Sequence, residues 1–294
     1  MSETVLRIGT RGSRLALAQA RLVVEAMSAA QPDCRTEIVV IRTTGDAVLD
    51  RPLHEVGGKG AFTRELELAL LDRRIDVAVH SCKDVPVTQP LTPVDELVLA
   101  CFPAREQACD VLVSSGAVSL DALPRGARVG TSSPRRAALL LDLRPDLRLV
   151  PMRGNLDTRL SKLDRGECEA LVLAKAGLLR AGLHDPSRMR DLPVEQFVPA
   201  AGQGALALQC RRDDAATIEL LAPLDCPATR RCVELERAVV RELQGDCHSA
   251  IGVHAKPTAS GLLVAAALGG DQGVTRVRAE VLTDESTDAS AVRI

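Results

Sequence analysis

The sequence predicts an α/β protein of two βα lobes joined by a hinge and followed by a small α+β domain. Three observations carry this. Asp76-Val77-Ala78-Val79 is a short apolar run with β-branched residues, the pattern of a buried strand, and it empties into Lys83-Asp84 before Pro86 stops it. Arg7-Ile8-Gly9-Thr10-Arg11-Gly12-Ser13-Arg14 is echoed by Arg128-Val129-Gly130-Thr131-Ser132-Ser133-Pro134-Arg135-Arg136, so the second third of the chain repeats the plan of the first. From Pro223 onward the character changes to one amphipathic helix and three strand-like segments.

Taken in order, Val5 to Gly9 reads as a strand, 9–12 as a tight turn and Ser13 as the N-cap of a helix. Leu15, Ala18, Leu22, Val23 and Ala26 recur on that helix at helical spacing and predict its buried face. Glu37 to Arg42 supplies the next strand. A polar, Gly-rich connection over 43–61 follows, and its length suits a lid that carries Lys59. Phe62, Leu66, Ala69 and Leu70 then mark a helix leading into the Asp76 strand. In the second lobe, Glu169 to Lys175 echoes Asp76 to Lys83, again an apolar strand with Lys beyond its end.

Gly202, Gly204 and Ala207 match the G-x-G-x-x-A dinucleotide pattern only superficially, because no strand precedes them and Ala205 to Cys210 is itself strand-like. The segment reads as a hinge returning to the first lobe. In the last part, Thr229 to Leu243 is a helix with Cys232, Leu235, Val239 and Leu243 on one stripe, followed by strands over 250–255, 262–268 and 274–282. The boundaries predicted are 1–103 with 200–222 for the first lobe, 104–199 for the second and 223–294 for the last domain.

Composition excludes several classes. The 294 residues carry a formal net charge of −2, with no Trp or Tyr and three Phe, so neither a general polyanion surface nor stacking platforms for single-stranded nucleic acid are available. No apolar stretch is long enough to span a bilayer, and the N-terminus lacks the apolar run of a signal peptide, which points to a cytoplasmic protein. Nine cysteines form no C-x-x-C pair and the five histidines lack zinc spacing, so neither a disulfide framework nor a metal site is expected. Cys247 stands apart from the rest, in the polar stretch 244–249 between the last helix and the last sheet.

A strand end facing a crevice and two helix N-termini flanked by hydroxyls favour an acidic ligand. Arg11, Arg14, Arg135, Arg136, Arg153, Arg159 and Arg180, with Lys59, Lys83 and Lys175, are the side chains that can hold carboxylates there. On these residues alone an enzyme, a solute-binding protein and the effector domain of a transcription factor all remain open. The absent export signal and the Cys247 loop argue against the second, and the absence of a helix-turn-helix segment or basic arm against the third.

The motifs RIGTRGSRLAL, VGGKGAF, HSCKDVP, GTSSPRR, RGNLDTRLSKLD, LAKAGL, GQGAL and GDCHSAIG occur in one order across nearly the whole chain, which thereby resembles the porphobilinogen deaminases, or hydroxymethylbilane synthases, of tetrapyrrole biosynthesis. The resemblance implies two periplasmic-binding-protein-like (type II) βα lobes and a dipyrromethane cofactor held by a thioether to Cys247. It further implies the head-to-tail condensation of four porphobilinogen molecules with loss of ammonia, then hydrolytic release of hydroxymethylbilane. Asp84 matches the family's catalytic carboxylate, with Lys83 beside it. Ser81, Lys83, Thr131, Ser133, Arg135 and Arg136 match positions around the cofactor. Arg11, Arg153, Arg159, Arg180 and Gln203 match positions that hold the substrate and growing chain, and Lys59 lies on the covering loop. A monomer is implied, without nucleic acid or membrane partners, handing its product to uroporphyrinogen-III synthase for haem and related pigments. The chain departs from the family in having Asp246 where Gly commonly precedes the cofactor cysteine and Ser249-Ala250 after it, and a carboxylate beside a thiol disfavours the thiolate.

Overall fold

The computed structural model describes residues 5–43, 62–87, 96–116, 118–245, 249–282 and 287–293. The elements begin with β1 (Val5–Thr10), α1 (Arg14–Ala30), β2 (Arg35–Val40), α2 (Arg64–Leu71), β3 (Val77–Ser81), β4 (Leu97–Cys101) and β5 (Asp110–Ser114). Next come β6 (Arg128–Gly130), α3 (Pro134–Leu143), β7 (Arg148–Val150), α4 (Leu156–Asp164), β8 (Ala170–Ala174), α5 (Lys175–Arg180) and β9 (Met189–Asp191). The chain finishes with β10 (Leu206–Arg211), α6 (Ala215–Leu221), α7 (Pro227–Glu242), β11 (Ile251–Pro257), β12 (Gly261–Gly270), β13 (Gly273–Leu282) and α8 (Thr287–Arg293). It divides into two compact units, Met1–Arg105 with Ala205–Arg231, and Glu106–Gly204 with Cys232–Ile294.

The first unit is built on a five-stranded sheet in the order β2-β1-β3-β10-β4, with β1 parallel to β2 and β3, and β10 antiparallel to β3 and β4. The second repeats this order as β7-β6-β8-β5-β9, and here β5 is the antiparallel strand. In both sheets the antiparallel strand is the one that follows directly where the chain passes from one unit to the other. This doubly crossed α/β plan is the two-lobed arrangement that the sequence repeat predicts.

Both faces of the first sheet are covered, which is why Val77, Ala78 and Val79 of β3 are apolar in succession rather than alternating. Val77 and Val79 pack with Ile8, Met27, Leu206 and Leu208, whereas Ala78 packs with Leu66, Leu70 and Ile75. Ser13 caps α1 as predicted, its Oγ accepting from the Ala16 N–H. The buried face of α1 is a correction. Ala16, Gln19, Ala20, Val23 and Met27 point inward, and Leu22 is 43% exposed. The helix is apolar on two adjacent stripes, both at helical spacing, and the stripe with small Ala16 and Ala20 lets its axis approach β1 closely.

In the second unit the three-stranded antiparallel sheet β11-β12-β13 packs onto α3. Gly269 permits the approach, since a Cβ there would stand 2.7 Å from the Ala138 Cβ. Arg276 on β13 pairs with Asp142 on α3 at 2.7 Å. Helix α7 buries Cys232, Leu235 and Val239 as predicted, while Leu243, just past its end, is exposed. The same helix buries Glu236, whose two carboxylate oxygens accept from Gly202 N–H and Ala255 N–H, each at 2.7 Å. One side chain thereby ties the helix to both the 199–204 segment and β11.

Candidate active site

In the first unit β1 and β3 run parallel, so Arg11 and the Lys83-Asp84 turn leave the sheet at the same edge. Beyond Ser81 the chain makes one turn of 3-10 helix, Cys82–Asp84, closed by a hydrogen bond from Val85 N–H to the Cys82 carbonyl. Cys82 is buried, its N–H donates to the Ala205 carbonyl, and the turn is thereby anchored. Asp84 is exposed, and among the described residues it has no hydrogen bond or ion pair. Ser81 Oγ accepts from Gln19 Nε2 at 2.9 Å, and the Arg11 guanidinium lies 4.1 Å from the centre of the Phe62 ring. The cation is thus held over an aromatic face beside the strand ends.

Beneath the turn lies a buried polar chain that the sequence did not reveal. His80 Nε2 and Gln209 Oε1 are 3.0 Å apart, and Gln209 Nε2 donates to Glu67 Oε1 at 3.4 Å. Burial pushes the His80 imidazole down to about 4, against the hydrogen bond to Gln209 and the Asp84 charge that favour protonation.

In the second unit the parallel strands β6, β7 and β8 all end at one edge, and the predicted residues gather there. After β6, Thr131 Oγ1 accepts from Ser133 N–H at 3.2 Å, and Ser133 caps α3 by accepting from Arg136 N–H, with Pro134 in the first turn. Ser132 Oγ donates to the Met152 carbonyl at 2.9 Å and accepts from Met152 N–H at 2.8 Å, joining the loops after β6 and β7. Arg153 follows β7, and Gly154 turns the chain at φ +103°, where a side chain would be strained. The Gly154 carbonyl then takes the Arg159 Nε at 2.8 Å. At the end of α5, Arg180 donates to the Gly204 carbonyl at 2.7 Å.

The hub of this edge is Asp110, which the sequence shows only as the polar start of an apolar run. Its wholly buried carboxylate takes Arg135 at 2.8 Å, Arg136 at 2.7 Å and Gln203 Nε2 at 3.0 Å. Arg135 and Arg136 also donate to the Val198 and Val172 carbonyls. Burial pulls the Arg135 guanidinium down, and the Asp110 charge opposes that. Two buried cations against one carboxylate leave a positive surplus in the triad. Arg135 Nε and Arg153 Nη1 are buried donors with no hydrogen-bond partner among the described residues. Such donors suit an incoming anion, and a cofactor carrying carboxylates fits this donor set. Lys175, the echo of Lys83, is instead paired with Asp191 at 2.6 Å, which holds its ammonium above the usual lysine range. Lys59 and Cys247 lie outside the described residues. Among those described, no group of three metal-ligating side chains occurs and no helix is long and apolar enough to cross a membrane.

Sequence comparison places these features. The family model described as "Porphobilinogen deaminase, dipyromethane cofactor binding domain" matches residues 6–219, and that described as "Porphobilinogen deaminase, C-terminal domain" matches residues 230–292. The chain belongs to the porphobilinogen deaminase family. The porphobilinogen deaminase of Syntrophobacter fumaroxidans is 48% identical over 255 residues, 87% of this chain and 81% of that one. That of Desulforudis audaxviator is 46% identical over 273 residues, 93% of this chain and 87% of that one. Similar solved structures include a periplasmic substrate-binding protein of an ABC transporter from Coxiella burnetii, at TM-score 0.47 and 17% identity over 76% of this chain and 94% of that one. A putative methionine-binding lipoprotein from Bacillus subtilis aligns at TM-score 0.48 and 12% identity, over 76% and 91% of the two chains. A porphobilinogen deaminase is a transferase of tetrapyrrole synthesis that works on a dipyrromethane cofactor, and porphobilinogen is its substrate.

Proposed function

We propose that this chain condenses four porphobilinogen molecules head to tail and releases hydroxymethylbilane, with Asp84 as its catalytic carboxylate and Cys247 as its cofactor anchor. The observation that carries the reading is Asp84 itself, an exposed carboxylate with no ion pair among the described residues, in the turn after β3 in a chain of this family. The dipyrromethane, when bound, supplies the nucleophilic pyrrole carbon that primes chain growth. Asp84 stabilises the positive charge that spreads onto the substrate's pyrrole nitrogen as ammonia leaves, and Lys83 beside it orients substrate carboxylates. Thr131, Ser133, Arg135, Arg136 and Ser81 hold the cofactor, and Arg135 Nε, a buried donor with no hydrogen-bond partner among the described residues, suits an anion. Arg11, Arg153, Arg159, Arg180 and Gln203 take the acetate and propionate groups of substrate and growing chain, and Lys59 is assigned to substrate binding by the family resemblance alone. Covalent anchoring keeps each intermediate local, so successive encounters become intramolecular.

A division into three domains, 1–103 with 200–222, 104–199 and 223–294, is part of this reading; three separate sheets and the break between the two family models support the number of domains. A cytoplasmic compartment is supported by the lack of disulfides among the described cysteines. A monomer that hands its linear product to uroporphyrinogen-III synthase is supported by the family resemblance.

Ammonia release from porphobilinogen tests the reaction. The wild type releases ammonia with consumption of substrate, and Asp84→Asn retains the fold but loses turnover by about a hundredfold or more, the usual scale of an acid–base group. Wild-type-like turnover of Asp84→Asn would remove Asp84 from the mechanism, and no ammonia from the wild type after preincubation with porphobilinogen would remove the function.

A further inference from the structure

The buried chain under the Lys83-Asp84 turn has a fixed direction. His80, Gln209 and Glu67 are each almost wholly out of water and come from three different elements, β3, β10 and α2. A Glu67 carboxylate accepts only, so the Gln209 amide must present its Nε2 hydrogens to Glu67 and its Oε1 to the imidazole. An amide oxygen accepts only, so His80 must carry its proton on Nε2. The reversed amide would set oxygen against oxygen at Glu67, leaving two acceptors facing each other in a buried site. The contacts therefore place a proton on Nε2, and whether the second nitrogen is also protonated is left to the burial of the ring.

We propose that His80 is a positioning residue for the reaction described above. The Glu67–Gln209 chain fixes a ring proton on Nε2 and burial keeps the ring neutral, so the Asp84 carboxylate receives no cationic partner from the strand beneath it and meets the positive charge of the substrate instead. Burial outweighs the hydrogen bond to Gln209 and the Asp84 charge, both of which favour protonation, and pushes the imidazole down to about 4. The charges that act on the ring are Asp84 and Arg11, and Glu67 reaches it through Gln209. Asp84 favours the imidazolium, so a histidine at this position that was open to water would be more readily charged.

This inference rests on the proposed function, and the test separates the two. Exchanging the polar groups, Glu67→Gln with Gln209→Glu, preserves the shape and the hydrogen-bonded chain but moves the carboxylate next to the ring. The holoenzyme of that double variant is compared with the wild type by histidine NMR, with His80 assigned from the spectrum of His80→Gln, and by kcat and KM for porphobilinogen across pH. The expected wild-type spectrum shows an Nε2–H imidazole that does not titrate through neutral pH. In the exchanged variant His80 is expected to carry a proton on both nitrogens at neutral pH. Its kcat is then expected to fall about tenfold, the scale of coupling between neighbouring residues, with KM little changed and kcat recovering as pH rises through the new His80 titration. A role in packing alone would not produce that pH-dependent recovery. An Nδ1–H tautomer or an ordinary titration of His80 in the wild type overturns the proposal, also if the double variant fails to fold. So does a kcat profile that superimposes on the wild type while His80 is charged. A wild type that never releases ammonia overturns the function instead and leaves the tautomer assignment standing.

Discussion

Arg135 and Asp110 meet at 2.8 Å with side chains that are 5% and 0% exposed, so the ion pair that orders the start of α3 lies almost wholly out of water. Arg136 takes the other oxygen of the same carboxylate at 2.7 Å. A buried pair of this kind adds little over a well-packed apolar cluster, but removing one partner strands the other.

Asp110→Ala would therefore leave two buried guanidinium groups facing each other. The expected loss is about 3–5 kcal/mol of unfolding free energy, the range for breaking a buried ion pair. Urea unfolding measures it, and a loss below about 1 kcal/mol, the scale of an exposed pair, would show that water or another group compensates.

At the opposite end of β3 from Asp84, Asp76 is gripped by Arg7 at 2.8 Å and by Arg211 at 3.1 Å. Burial raises its carboxyl, but the hydrogen bonds from Arg7 and Arg211 outweigh that and hold it below the usual carboxylate range. A carboxyl whose folded-state pKa is depressed contributes stability that is fully present above its unfolded value of about 3.9 and is lost as pH falls through the folded value. Asp76→Asn is expected to be less stable than the wild type at pH 7, with the gap closing below about pH 4. Unfolding curves from pH 7 to pH 3 would contradict this if the gap stayed constant.

Much of the fold was legible because its signals are local. Ser13 announces its helix within three residues, and the apolar run before Lys83 announces a buried strand. The repeated Gly-Thr turn exposed the two-lobed plan for the same reason. What was not legible is long-range. His80 and Gln209 are 129 residues apart, Gln209 and Glu67 142 apart, and Asp110 stands 25 residues before Arg135, with no spacing rule to join them. Two stripes of α1 satisfied the same helical period, and only the closeness of the helix to the sheet chose between Leu22 and Ala20. Likewise, seven arginines could be read as carboxylate ligands, while the structure shows that Arg135 and Arg136 already share a carboxylate of the chain itself.

The most direct test of the account is the intact mass of the denatured protein after incubation with porphobilinogen, beside that of Cys247→Ser treated in the same way. The account predicts a wild-type excess of at least two linked pyrrole units that survives denaturation and is absent from Cys247→Ser. A bare polypeptide mass for the wild type, or the same excess on both proteins, would contradict a porphobilinogen-derived cofactor anchored at Cys247.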